Sequence, residues 1–131
     1  MANQALSILI VDSPAPAETD PIIEALGEQG FTCQSAPSPE GAETYLDKLG
    51  FDAVIVHQRA VGDRLGAFVE SARGRNLTLA IIAVQSEYDG PQECELFDLD
   101  ADDVVTLEYS PALLALRAAI RTKNRLAMKY P

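Results

Sequence analysis

Four short stretches of this chain are apolar almost from end to end: Ser7–Val11, Ala53–His57, Leu79–Val84 and Val104–Leu107. Each is rich in Ile or Val, and none alternates between apolar and polar residues. A strand with one wet face alternates, whereas an unbroken run of about four to eight residues belongs to a sheet covered on both faces. A fifth stretch, Phe31–Ala36, is weaker. Its Thr-Cys-Gln-Ser centre predicts a half-exposed edge strand.

Helical patterns separate these runs. Ile22, Ile23 and Leu26 recur at helical spacing, and Gly27 and Gly30 help to end that segment. Pro21 is compatible if the helix starts a few residues earlier, because a first turn has no intrahelical donor to lose. Ser38-Pro39-Glu40 opens a second helix with Ser38 as its cap and Pro39 at its first position. Ala42, Tyr45, Leu46 and Leu49 form its apolar face, and Gly50 stops it. Leu65, Phe68, Val69 and Ala72 mark a third. Pro91–Leu99 is a short fourth, with Cys94, Leu96, Phe97 and Leu99 as candidates for burial. Ser110-Pro111 caps a long fifth containing Leu113, Leu114, Leu116, Leu126 and Met128. Its second half carries Arg117, Arg121, Lys123, Arg125 and Lys129, cations that suit the C-terminal end of a helix dipole.

Strands alternating with single helices predict an α/β fold: a doubly wound, five-stranded parallel sheet of the (βα)5, flavodoxin-like type. There is no internal repeat or domain boundary, so residues 1–131 read as one domain, with 123–131 as a helical extension or the start of a linker. Acidic residues outnumber basic ones 20 to 10, for a net charge of −10. That balance argues against nucleic acid or an anionic membrane as the main partner. No apolar run approaches the roughly 20 residues of a bilayer span, and the N-terminus lacks a signal-peptide pattern. Two cysteines, Cys33 and Cys94, are too few for a disulfide scaffold. The expectation is a cytoplasmic protein.

In such folds ligands sit beyond the carboxyl ends of the strands. That rule selects Asp12 and Ser13, then His57, then Gln85 and Ser86, then Leu107 and Glu108. In these residues and their surroundings the chain resembles the CheY-like receiver domains of two-component response regulators. Ser7-Ile8-Leu9-Ile10-Val11-Asp12-Ser13 resembles the family's first strand and acidic pair. Phe51-Asp52-Ala53-Val54-Ile55-Val56-His57 resembles the strand that delivers the phosphoacceptor aspartate. Ala101-Asp102-Asp103-Val104-Val105-Thr106 resembles the approach to its fifth strand, and Ser110-Pro111 the start of its last helix. The resemblance covers nearly the whole chain.

The resemblance implies a pocket in which two acidic residues and the phosphoacceptor aspartate hold Mg²⁺, while a hydroxyl residue and a lysine contact the acyl phosphate. This chain departs from that pattern. Asp12 keeps one acidic position, but Ser13 replaces the second. His57 stands at the phosphoacceptor position, and Leu107 at that of the lysine, followed by Glu108. Gln85 takes the Thr/Ser position, with Val84 or Ser86 as neighbouring alternatives. Magnesium wants hard oxygen ligands, so one carboxylate, a serine and an imidazole make a poor site. Without an aspartate at position 57, no acyl phosphate forms there. The chain therefore reads as a degenerate pseudo-receiver with no cofactor, no metal and no enzymatic activity.

Other features read as ordinary structure. His57, the sole histidine, reads as a strand-end group bonded to Asp12 or backbone, since zinc needs about four ligands. Asp98, Asp100, Asp102 and Asp103 hint at a calcium loop, but Asp103 stands where that loop needs glycine and Tyr109 where it needs glutamate; a solvated loop is expected instead. Tyr109 is expected to pack at the strand–helix junction. Asp103 and Arg117 are expected to form a surface pair of little energetic worth. No P-loop, nucleophile elbow or dinucleotide fingerprint is present.

The function expected is therefore phosphorylation-independent signalling through protein–protein contact, with a signalling or transcriptional component or a fused effector domain as partner. The favoured surface is the fourth helix, fifth strand and fifth helix, including Asp103, Tyr109, Leu113, Arg117 and Arg121, with a homodimer as one use of it. Two alternatives stand beside it: a phosphoacceptor with chemistry displaced to His57 or Asp52, and a flavodoxin-like small-ligand binder.

Overall fold

The computed structural model of the chain describes residues 6–12, 16–106 and 110–129, and for 16–20, 128 and 129 the backbone only. Five parallel strands, β1 (Leu6–Val11), β2 (Phe31–Ala36), β3 (Ala53–His57), β4 (Ala80–Gln85) and β5 (Asp103–Thr106), lie in the order β2-β1-β3-β4-β5. The principal helices are α1 (Pro16–Glu28), α2 (Pro39–Lys48), α3 (Leu65–Arg75), α4 (Gly90–Asp98) and α5 (Pro111–Lys129). A short helix, Gln58–Val61, and a 3-10 turn, Gly62–Arg64, link β3 to α3. They carry too few residues to show a periodicity, and the sequence gives no sign of them.

Side chains alternate across the pleat, so each central strand feeds two cores. Leu9, Val11, Val54, Val56, Ile81 and Ala83 face α2, α3 and α4, where they meet Ala42, Leu65, Phe68, Val69 and Leu96. Ile8, Ile10, Ala53, Ile55, Ile82 and Val84 face α1 and α5, where they meet Ile22, Leu26, Leu114, Ala115 and Ala118. The central strands are buried on both faces, as continuous apolarity requires, and β2 is the half-exposed edge.

Local signals act as expected at α2. Ser38 Oγ accepts from the Gly41 amide at 3.1 Å, and Pro39 occupies the first turn. Ser110 Oγ likewise accepts from the Leu113 amide at 3.2 Å. Other expectations need correction. Pro21 sits in the second turn of α1, not the first, so its ring nitrogen gives nothing to the carbonyl four residues earlier. Leu49 lies past the end of α2 and is exposed, as are Cys94 and Phe97 on α4. A nine-residue helix turns few positions inward, and on α4 Leu96 is the residue fully buried. Residues 123–129 continue α5 without a break.

The aspartate-rich approach to β5 is not a solvated loop. Asp102 receives Arg125 Nε at 2.5 Å and Arg73 Nη2 at 2.9 Å, and also accepts from the Ile81 amide. Asp100 takes Arg125 Nη2 at 2.8 Å, and its carbonyl takes Arg73 Nη2 at 2.8 Å. Arg73 also donates to the carbonyls of Asn76, Leu77 and Leu79. Burial, then the charge of Arg125 beside it, push the Arg73 guanidinium below its ordinary pKa, while Asp102 and Asp100 pull it back. Burial works against Arg125 too, but its bond to Asp102 and the charges of Asp102 and Asp100 hold it above its ordinary value. Asp100 adopts a left-handed backbone, φ 71°, where a helix end more often places glycine. Arg125 is thus a buried structural group rather than a surface cation.

Candidate functional site

β1 and β3 are register neighbours, with Val11 opposite Val56, so Asp12 and His57 leave the sheet side by side at its carboxyl edge. Both are buried, at 4% and 1% exposure. His57 Nε2 stands 3.8 Å from Asp12 Oδ2. A group that the strand-end rule did not select completes the cluster. Arg59, two residues past β3 in the short helix, places Nε on Asp12 Oδ1 and Nη2 on Asp12 Oδ2, each at 2.5 Å. This is the planar fork-to-fork pairing that a guanidinium makes with a carboxylate. The readable signal was a cation two residues beyond a strand end that faces a lone carboxylate.

The other expected pocket residues do not join this cluster. Gln85 is fully buried at the end of β4, but it serves α4. Its Nε2 donates to the Asp89 carbonyl at 3.0 Å and to Gln92 Oε1 at 2.8 Å. Val84 pairs with His57 in register and belongs to the core under α1 and α5. Ser86 is exposed, and its amide donates to Gln58 Oε1 at 3.0 Å. Ser13, Leu107, Glu108 and Tyr109 lie outside the described residues. Asp52, the alternative phosphoacceptor, sits at the opposite, amino edge of the sheet, where its carboxylate accepts from the Ser7 amide at 2.8 Å.

The donor set does not suit Mg²⁺. The cluster offers one carboxylate, already held on both oxygens by a guanidinium, and one imidazole, whereas the ion demands near-octahedral oxygen. Among the described residues no group of three or more His, Cys, Asp or Glu is placed to hold a metal ion. Beside the cluster lies an open cleft of about 990 Å³ between the turn after β3 and the β4–α4 loop. Asp63, Glu87, Asp89 and Glu95 line it, and Arg59 is the single cation among its lining residues. Acidic walls disfavour a nucleotide or flavin phosphate, which removes support from the small-ligand alternative.

The expected interaction surface is only partly a surface. Asp103 is 2% exposed, so it is not the weak surface partner anticipated. Arg117 grips it with Nε at 2.8 Å and Nη2 at 2.6 Å, and Arg121 Nε lies 3.3 Å away. Its burial follows because both guanidiniums, one helical turn apart on α5, fold over the start of β5. Leu113 is exposed, as expected. Of the cysteines, Cys33 is half-buried, and burial pushes its thiol pKa up. No described helix is long and apolar enough to cross a membrane.

No family model matches the sequence, and no curated protein matches it. Solved structures do. A CheY-like response regulator receiver domain protein from Methanospirillum hungatei JF-1 aligns with a TM-score of 0.86 at 15% identity, over 95% of this chain and 99% of that one. An orphan response regulator of H. pylori aligns with a TM-score of 0.83 at 20% identity, over 92% of this chain and 99% of that one. The signal receiver domain of an HD domain-containing protein from Pseudomonas fluorescens Pf-5 gives 0.83 at 14%, over 95% and 99%. With its strand order, its two helical layers and these alignments, the chain has the CheY-like response-regulator receiver fold.

Proposed function

We propose that this chain is a phosphorylation-independent regulatory module of the receiver type, neither enzyme nor phosphoacceptor, which acts by contact with a protein partner. The observation that carries this reading is the Arg59–Asp12 pair. In a phosphorylatable receiver the carboxylate after the first strand must be available to a divalent ion, which neutralises charge on the transferred phosphoryl group. Here a side chain of the protein itself supplies the positive charge, permanently and without a ligand. His57 at the strand end offers no carboxylate for an acyl phosphate. The pocket is thereby fixed in one electrostatic state, and the surfaces around α4, β5 and α5 are left to do the signalling, in the cytoplasm, toward a signalling component or a fused effector domain.

The test is incubation with acetyl phosphate or phosphoramidate and Mg²⁺, followed by intact mass measurement. An unchanged mass is expected. A phosphoryl adduct on any residue overturns the proposal.

A further inference from the structure

The outward side of α5 combines three large apolar residues with an unusual charge. Leu113, Leu116 and Ile120 are 40%, 47% and 46% exposed. Their spacing of three and then four residues places them on one face of the helix. It is also the spacing of a and d positions in a helix-pairing seam, which Lys123 and Ala127, both exposed, continue. From Leu113 to Ala127 the seam is about 21 Å long. The opposite side of α5, with Leu114, Ala115, Ala118 and Ala119, is spent on the core.

Between Pro111 and Lys129 there is no Asp or Glu but five Lys or Arg, of which Arg125 is buried against Asp100 and Asp102 and Arg117, Arg121 and Lys123 reach the outside, on a chain whose net charge is −10. Arg117 and Arg121 flank the seam on the β5 side, where both fold toward the one carboxylate of Asp103 while staying 30% and 38% exposed. Lys123 lies within the seam. The helix is thus a cationic, apolar band on an otherwise acidic molecule.

We propose that this band is a docking seam for an acidic amphipathic helix of a partner protein. The inference rests on the regulatory reading above and names the partner's chemistry. An antiparallel second copy of α5 crossing near Ile120 would bring Lys123 of each helix against Arg117 of the other, and like charges facing each other across an interface are destabilising. An anionic bilayer meets a molecule that is net acidic, with only three large side chains to insert. A helix with leucines in its seam and glutamates beside them satisfies both the apolar and the charge pattern.

The test uses the full chain and two fluorescent three-heptad peptides, identical at their leucine seam positions but flanked by glutamate in one and lysine in the other. By anisotropy the glutamate peptide is expected to bind at least about tenfold more tightly, and to weaken as salt is raised. Leu116→Glu with Ile120→Glu should cost at least about tenfold in affinity, whereas Leu49→Glu, at an exposed position after α2 and away from α5, should leave it unchanged. Circular dichroism verifies that each variant is folded. Absent binding, equal binding of the lysine peptide, or indifference to the double change overturns the proposal. So does a dimer in sedimentation that the double change dissociates, or binding to phosphatidylserine vesicles that it abolishes. A phosphoryl adduct in the mass experiment would refute the regulatory reading while leaving the peptide result standing, so the two failures are distinguishable.

Discussion

The two ends of the sheet both hold guanidinium–carboxylate clusters, and they are built differently. At the amino edge, Arg73 and Arg125 reach from α3 and α5 to Asp100, Asp102 and the carbonyls that precede β4. That network ties together parts of the chain that are distant in sequence. At the carboxyl edge, Arg59 reaches Asp12 from a short helix directly after β3, and His57 stands beside them. The first cluster holds elements together; the second sets the charge of a pocket. An ion pair of similar chemistry therefore performs different work according to how many elements it joins.

Removing one partner of a buried pair costs more than the pair is worth, because the remaining charge keeps its desolvation penalty. Arg73→Ala should accordingly lower unfolding free energy by about 3–5 kcal/mol, read as a fall in the urea midpoint at unchanged slope. A cost below about 1 kcal/mol would show that the amino-edge network is not a staple. Arg59→Ala should cost about 3 kcal/mol, since Asp12 is nearly fully buried. Asp12→Ala combined with Arg59→Ala should cost clearly less than the two single changes added together, with a coupling of about 1–3 kcal/mol in a double-mutant cycle. Strict additivity would break the reading of the carboxyl edge as a matched pair.

These two clusters also mark the limits of what the sequence discloses. Continuous Ile/Val runs located four of the five strands to within a residue or so at each end, because burial on both faces favours that composition, and the weaker Phe31–Ala36 stretch located the half-exposed edge strand β2. Ser38-Pro39 located a helix start because the cap is local chemistry. Arg59 escapes the strand-end rule because it lies two residues beyond His57, the position that ligand geometry selects after β3, on a helix too short to have a period. The burial of Asp103 is invisible in the sequence because nothing in Ala-Asp-Asp shows that Arg117 and Arg121 will cover it. Long-range pairing of charged residues has no sequence period, so partner choice becomes visible only in three dimensions. Ser13 and Leu107 carry their expectations forward from the sequence alone.

Two smaller effects sharpen the contrast. Asp100→Gly should change stability by about 1 kcal/mol or less, because relief of the left-handed backbone offsets loss of the Asp100 carboxylate's solvent-screened pairs with Arg125 and Arg73. A loss as large as that of Arg73→Ala would mean that Asp100, not Asp102, anchors the network. At the other edge, His57→Asp should give no phosphoryl adduct with acetyl phosphate and Mg²⁺, and no Mg²⁺-dependent rise in Tm, because Arg59 still covers both oxygens of Asp12. An adduct on the new aspartate would show that the guanidinium does not block the pocket.

Arg125 gives α5 a mechanical character. It grips the Leu77 carbonyl at 3.0 Å and two aspartates at the foot of the sheet, so the helix is riveted at that point. Rolling α5 about its long axis would shear those bonds at once, whereas a tilt pivots on them. A load on the outer stripe is therefore transmitted as leverage about the rivet, and the foot of β4 and β5 bears the torque.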